Sequence, residues 1–505
     1  MKKIMIVFAG MALMFVLMGC AVPDTGGMVI IINQRAHRMV LDEDGVLWAW
    51  GHNVYGELGD GTNICRDMPI EIMQNVADVQ SIDTYRAGRF IGSVPVPDEW
   101  GRPNVRTFVI TADGVLYGWG TNEYGQLGDG TKYNSNTPMR IMENVAAVYP
   151  AQYNTFAIDE NGTLYAWGRN GGFRGAHILG DGTMLDRLQP YAIMDNVASV
   201  HLDYWGHANF LITIDGSLYG WGTNHYGEIG DGTTEGSSYP IRVMDNVSTV
   251  FTGSFATAYA ITKDAALYAW GGYLGEDYQD RFGRGKVPVR IMEDVRYFHM
   301  ASSLVLLEDN SLWAFSTFWT DPILPHKIMD SVNSFAVGPF GWGNIRVYAI
   351  STDSQLLTWI KPMMSERQGN NVEDDSSASS PRVILNSIAS IHPGEIWEYG
   401  DKEENEEYRQ MLDIMTMFGV EFPDSTEAGS YVLSTDGKLW RIGNHQPFVV
   451  LDSVLRFYDS PTQVYMALQE NGSLWIWRNN NMFLHESDKT PDEPTIIMEG
   501  IFEPN

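Results

Sequence analysis

The sequence predicts an all-β protein, a β-propeller built from four-stranded blades. Two repeated signals in strict alternation carry that prediction, and a third segment supports it. The first signal is an acidic or amide residue, usually followed by glycine, then leucine and an aromatic. It reads DGVLWAWG at 44–51, DGVLYGWG at 113–120, NGTLYAWG at 161–168 and DGSLYGWG at 215–222. Weaker copies are DAALYAWG at 264–271, DNSLWAF at 309–315, DSQLLTW at 353–359, DGKLWRIG at 436–443 and NGSLWIW at 471–477, which makes nine. The second signal is a proline followed by apolar residues and a Val or Ile seven positions on, as in PIEIMQNV at 69–76 and PMRIMENV at 138–145; it also occurs nine times. The third is a short segment of apolar and β-branched residues ahead of each acidic or amide residue, such as TFVITADG and TFAIDENG, which reads as a strand.

Each element follows from local chemistry. Asp-Gly and Asn-Gly favour the positive φ of a tight hairpin, so each copy of the first signal joins two antiparallel strands. The segment after the proline supplies a third strand, and the short VxxV segment a fourth. Units of four strands at roughly 35–80 residues point to a propeller. A small residue recurs inside the hairpin, at Ala49, Gly118, Ala166, Gly220, Ala269 and Ala314, where sheets must approach closely. Thr358, Arg441 and Ile476 replace it in the last three units, so the C-terminal third is degenerate.

Between hairpin and proline lie YGELGDGT at 55–62, YGQLGDGT at 124–131, ILGDGT at 178–183 and YGEIGDGT at 226–233. These loops invite a metal or phosphate reading. They lack the alternating oxygen ligands of a calcium loop and the Gly-Lys-Ser/Thr ending of a phosphate loop. The expectation is a turn scaffold in which aspartate accepts backbone hydrogen bonds.

The remaining signals bound the function. The chain has 63 acidic and 33 basic side chains and a formal charge of −30, which repels a phosphate backbone and argues against nucleic acid as partner; solubility is the plain reading of the acidity and a basic protein partner the sharper one. Residues 1–19 read as a signal peptide, with Lys2 and Lys3 ahead of an apolar run. Residues Leu17 to Cys20, LMGC, resemble a bacterial lipoprotein box; this implies lipid attachment at Cys20, a linker over 20–28 and a membrane-surface location for an exported protein. Cys65 would then be the only other cysteine. Eleven histidines are scattered without metal-ligand spacing, and no catalytic constellation is marked out. No catalytic residue, metal or cofactor is therefore expected.

The repeat region is expected over 29–505, with insertions at 85–105 and 394–428 between the VxxV strand and the strand before Asp-Gly. Both should emerge on one face. Within the second, Tyr408, Met411, Leu412 and Met415 fall at near-helical spacing and are the candidate binding-face residues.

Asp113-Gly114, Leu116-Tyr117, Trp119-Gly120, Asn122, Tyr124 to Gly128 and Asp129-Gly130, followed by Pro138, resemble the regulator of chromosome condensation repeat. The resemblance covers essentially the whole mature chain, closely in units one, two and four. It implies a seven-bladed propeller, against nine units counted. The founding member exchanges nucleotide on a small GTPase and binds chromatin, and this acidic, exported chain lacks the basic tail for that. The more useful analogy is to secreted, BLIP-II-like bacterial members, some of which bind proteins and inhibit enzymes; with the lipoprotein box, the regular repeats and the missing catalytic constellation, the expectation is a non-enzymatic, surface-anchored propeller that binds a protein or other ligand through loops on one face. The alternative is an extracellular enzyme acting on cell-wall or other polymer from a site in the propeller channel.

Overall fold

A computed structural model describes residues 30–33, 37–42, 44–84, 90–91, 94–95, 104–171, 178–203, 208–253, 257–272, 285–314, 325–337, 344–362, 382–386, 388–392, 430–434, 438–442, 448–452, 454–458, 464–469, 474–478 and 495–498. The described residues form nine antiparallel four-stranded sheets and one two-stranded hairpin, with a short 3-10 turn at Met300–Ser302. The fold is an all-β propeller architecture of four-stranded blades. Nine sheets stand where the resemblance implied seven, because even the degenerate units keep a hairpin and a proline strand.

Sheet 1 contains Ile30–Asn33, His37–Leu41, Leu47–Gly51 and Arg66–Met73 in that order. Sheet 2 contains Val76–Thr84, Asn104–Thr111, Leu116–Gly120 and Ser135–Met142. Sheet 3 starts at Val145–Pro150 and ends at Arg187–Met194, sheet 4 at Val197–His201 and Ser237–Met244, and sheet 5 at Val247–Thr252 and Val289–Met292. Sheets 6 to 9 start at Val295–His299, Val332–Val337, Ile388–His392 and Val454–Tyr458. The VxxV segment is thus the first strand of the following sheet, not the last of its own unit. Two compact units divide the chain, 1–308 with 313–326 and 505 in one, 309–312 with 327–504 in the other. Sheets 1 to 5 lie in the first unit.

In that unit, neighbouring sheets pack through apolar clusters. One joins Phe108, Ile110 and Leu116 of sheet 2 to Val148, Ala157 and Trp167 of sheet 3. The next joins Phe156 and Leu164 of sheet 3 to Val200, Leu211 and Trp221 of sheet 4. Trp119, Trp167, Trp221 and Trp270 are fully buried, and Phe108–Trp167 and Phe210–Trp270 meet edge-on at 6.4 and 5.7 Å. The fourth strands are half-buried to exposed and form one edge of their sheets, which is where a proline is tolerated.

The connections sort onto two ends of the sheets. Each Asp-Gly turn meets the turn that leads into the next sheet. Val145 N donates to Gly114 O at 2.8 Å and Glu160 N to Asn144 O at 2.8 Å; Val197 to Gly162 and Val247 to Gly216 repeat the first bond at 2.8 Å. Asn75, Asn144, Asn196 and Asn246 turn the chain with φ between 56° and 62°. This is the turn end. The connections between first and second strands, and the Gly-rich loops between third and fourth, leave at the opposite, loop end. The insertion predicted at 85–105 lies there, between Val76–Thr84 and Asn104–Thr111, and includes the hairpin Phe90–Ile91 with Val94–Pro95. The insertion at 394–428 lies outside the described residues.

Candidate functional site

The Gly-rich loops hold sheets together. In YGQLGDGT the buried Asn122 amide donates to Asp129 Oδ1 at 3.0 Å and to Thr131 O at 3.2 Å, while its carbonyl accepts from Leu127 N at 2.8 Å. Asp129 also accepts from Thr131 N and its hydroxyl, both at 2.9 Å. The equivalent Asp60 and Asp181 are paired with Arg66 and Arg187 at 2.5 and 2.7 Å. Burial pushes those two carboxyls up, but hydrogen bonds from Thr62 and Arg66, and from Thr183 and Arg187, hold them below the usual range. The aspartate oxygens are spent on their own turns. Among the described residues no group of three or more His, Cys, Asp or Glu side chains is placed to hold a metal.

Each loop then grips the next sheet. Trp119, Trp167, Trp221 and Trp270 donate from Nε1 to the carbonyls of Glu57, Gln126, Ile178 and Glu228 at 2.8–3.0 Å. Gly61, Gly130 and Gly182 donate to Asn136, Leu188 and Ser238 in the fourth strand of the following sheet at 2.8–2.9 Å, and Gly232 donates to Lys286, just ahead of the fourth strand of sheet 5, at 2.7 Å.

Aromatic and apolar side chains are exposed at the loop end among polar ones. Two residues past the threonine of the first three loops stand Ile64, Tyr133 and Leu185, exposed by 62%, 82% and 66%, and the fourth loop carries an exposed Glu235 there. Between sheets 2 and 3, the Arg169 guanidinium lies 5.0 Å from the Tyr124 ring and 5.3 Å from the Tyr153 ring, and the two rings meet edge-on at 5.2 Å. Beneath this cluster, Arg106 is fully buried and donates to the carbonyls of Ala151, Gln152 (3.2 Å) and Asn154 (2.8 Å), which fixes the turn bearing Tyr153. Burial pushes the Arg106 guanidinium well below its ordinary value.

A second buried polar group lies at the same end. His37 Nε2 bonds Ser81 Oγ at 3.1 Å, Ser81 donates to Arg106 O at 3.3 Å, and the buried His37 Nδ1 has no hydrogen-bond partner among the described residues. Burial pushes the His37 imidazole down to about 4. Nearby, His52 pairs with the buried Glu57 carboxylate. Burial pushes the Glu57 carboxyl up, and the His52 hydrogen bond helps hold it below its usual range.

Sequence reasoning missed Arg106, Arg169, Tyr153 and His37 because each departs from the repeat. Arg169 stands where the other close copies carry His52, Thr121 and Thr223, and that departure was the available signal. Of the expected site residues, Cys20, Tyr408, Met411, Leu412 and Met415 lie outside the described residues. Cys65 is a free, half-buried thiol.

Comparison with known proteins agrees with the repeat geometry. Residues 44–83, 113–158 and 215–259 match the Regulator of chromosome condensation (RCC1) repeat. The chain is 28% identical over 204 residues to the Ultraviolet-B receptor UVR8 of Arabidopsis thaliana, across 39% of this chain and 41% of the receptor. It is 24% identical over 205 residues to the E3 ubiquitin-protein ligase HERC2 of Homo sapiens, across 39% of this chain and 4% of the ligase. The match thus spans less than half of each relative. Among solved structures, Prp20p from Saccharomyces cerevisiae is similar at 18% identity and a TM-score of 0.39, over 77% of this chain and 87% of that one. The chain carries repeats of the regulator of chromosome condensation family, folded as four-stranded propeller blades.

Proposed function

We propose that the chain is a non-enzymatic binding propeller that engages a protein partner through its loop end and is held at a membrane surface by lipid on Cys20. The cluster of Tyr124, Tyr153 and Arg169 is the observation that carries the binding reading. Tyrosine and arginine are the side chains most often responsible for interface energy, and here they are held by a buried arginine and by one another. Exposed Ile64, Tyr133 and Leu185 extend an apolar rim along the same end. The insertion at 85–105 follows the first strand of sheet 2, the class of connection that leaves at that end, and the insertion at 394–428 is, by sequence, the corresponding connection of sheet 8. Repeat proteins commonly bind through loops on one face.

Capture of envelope proteins on the full chain tests this reading. A saturable partner should be recovered, with affinity reduced about tenfold or more by Arg169→Ala and reduced further by deleting 394–428. Recovery insensitive to both changes contradicts it. For the anchor, Cys20→Ser should abolish incorporation of labelled fatty acid and release the protein from the membrane fraction.

A further inference from the structure

Two arginines meet at the loop end of sheets 2 and 3, and neither has an acid beside it. Arg106, from sheet 2, is fully buried and spends its hydrogen bonds on neutral oxygens: Asn104 Oδ1 and the carbonyls of Ala151, Gln152 and Asn154 in the turn of sheet 3. Its Nε has no hydrogen-bond partner among the described residues. Burial pushes the guanidinium down to about 9, so it stays protonated at neutral pH. A buried charge without a counter-charge is costly, and an anion held just outside the turn lowers that cost.

Arg169 meets the same turn, where its backbone N–H donates to Tyr153 O at 2.9 Å. Its half-buried guanidinium rests on the Tyr124 and Tyr153 rings at 5.0 and 5.3 Å. At the equivalent position of sheet 1, His52 is paired with the Glu57 carboxylate of its own loop. In sheet 3 the loop position equivalent to Glu57 is Ile178: the Glu57 carbonyl accepts from Trp119 and the Ile178 carbonyl from Trp221. The internal acid is therefore missing. Asp186 accepts from Asn170 N at 3.0 Å and from Lys132 Nζ at 3.3 Å, and Asp181 is paired with Arg187. Among the described residues no carboxylate pairs with Arg169, the exposed Glu123 beside Tyr124 included. The two rings hold the guanidinium in place, so little freedom is lost when it gains a partner.

We infer that Arg169, framed by Tyr124 and Tyr153 and backed by the buried charge of Arg106, receives a carboxylate, the side chain of an aspartate or glutamate on the protein partner. A guanidinium presents parallel N–H donors that match the two oxygens of a carboxylate. The formal charge of −30 does not decide the matter locally. Exposed Asp113, Glu143, Asp215, Asp245, Asp264 and Glu293 all lie at the opposite, turn end, and exposed charges more than about 8 Å apart are largely screened at physiological salt. Exposed Tyr133 and Leu185, on loops joined by the Lys132–Asp186 pair, favour apolar residues flanking the partner's acid. The inference rests on the protein-binding reading above and adds the chemistry of what is bound at the cluster.

Side-chain NMR of the full chain at physiological salt tests it. The Arg169 Nε–H signal, identified by its loss in Arg169→Lys, is followed during titration with the end-blocked peptide Gly-Leu-Glu-Leu-Gly, its counterpart Gly-Leu-Gln-Leu-Gly, and inorganic sulfate. The glutamate peptide should shift the signal saturably, and the glutamine peptide and sulfate should each bind at least tenfold more weakly. The Nε–H signal of Arg242, paired with Asp245 at the turn end, should stay in place throughout. No saturable shift, an equal shift of Arg242, or equal binding of the two peptides overturns the carboxylate site. Sulfate binding as tightly as the glutamate peptide also overturns it, and would assign the two arginines to an oxyanion that is not a protein side chain. Such failure is separable from failure of the binding reading, because partner capture and its sensitivity to Arg169→Ala are measured without peptide or sulfate.

Discussion

The indole Nε1 of Trp167 donates to the carbonyl of Gln126 at 3.0 Å, so a side chain in the hairpin of sheet 3 closes a bond to the loop of sheet 2. The same indole occupies the space beside Gly128. A Cβ there would lie 2.6 Å from Trp167 Nε1, at a φ of +86° that strains any other residue. The hairpin aromatic and the loop glycine are therefore one device, repeated as Gly59 with Trp119, Gly180 with Trp221 and Gly230 with Trp270.

Gly128→Ala should destabilise the first unit by roughly 2–4 kcal/mol, from left-handed strain and overpacking together. Trp167→Phe removes only the hydrogen bond and some area, and should cost roughly 1–2 kcal/mol. Denaturant melts of the two variants check the order.

Asn122 makes bonds to Leu127, Asp129 and Thr131 from a fully buried position, so Asn122→Ala should cost roughly 2–4 kcal/mol. Because Asp129 is committed to Asn122 and Thr131, adding calcium or a chelator should not move the melting curve of the wild-type protein. A shift of several degrees with calcium would reveal a metal site in the loops.

Where the Asp-Gly turn loses its glycine, the backbone keeps its shape: Ala265, Asn310 and Ser354 hold φ of 62°, 64° and 63°. Alanine is the least suited of these to a left-handed turn. Ala265→Gly should stabilise the protein by about 1 kcal/mol, seen as a higher denaturant midpoint at unchanged slope. No change, or a loss, would mean that the added freedom of the unfolded chain outweighs the relieved strain.

His37 gives a pH dependence with a definite sign. Its folded value is pushed down to about 4 from 6.5. Below pH 6.5 the unfolded chain takes up a proton that the folded chain refuses, so stability falls as pH drops from 6.5 to 4, by about 3 kcal/mol from this one group. Above 6.5 the contribution is flat. Burial pushes His201 down to about 4 as well, so His37→Gln should make the acid limb of a stability profile shallower without removing it, and an unaltered acid limb would contradict the assignment.

The repeat made most of the fold legible. The aspartate or asparagine with its leucine and aromatic placed the third strand of all nine sheets, and the proline segment placed the fourth, because turn chemistry and alternation are local. The membership of the first strand was not local. Val76 pairs with Thr111 in the sheet that follows it, and only the register decides that. The loops were read as turn scaffold with an aspartate that accepts backbone hydrogen bonds, and Asp129 does accept from Thr131 N, but their grip on the next sheet depends on Trp119 and its counterparts, some 40 to 60 residues away. The Tyr124–Arg169–Tyr153 cluster was invisible for the same reason, since its members come from three loops of two sheets.

Site-specific photo-crosslinking tests most directly the claim that the partner binds the loop end. A photoreactive residue placed at Tyr133 or Tyr153 should crosslink the captured partner, and one at Asp215 or Asp113, in the Asp-Gly turns, should not. Crosslinks from Asp215 and Asp113 with none from Tyr133 and Tyr153 would place the partner on the opposite end and contradict the account.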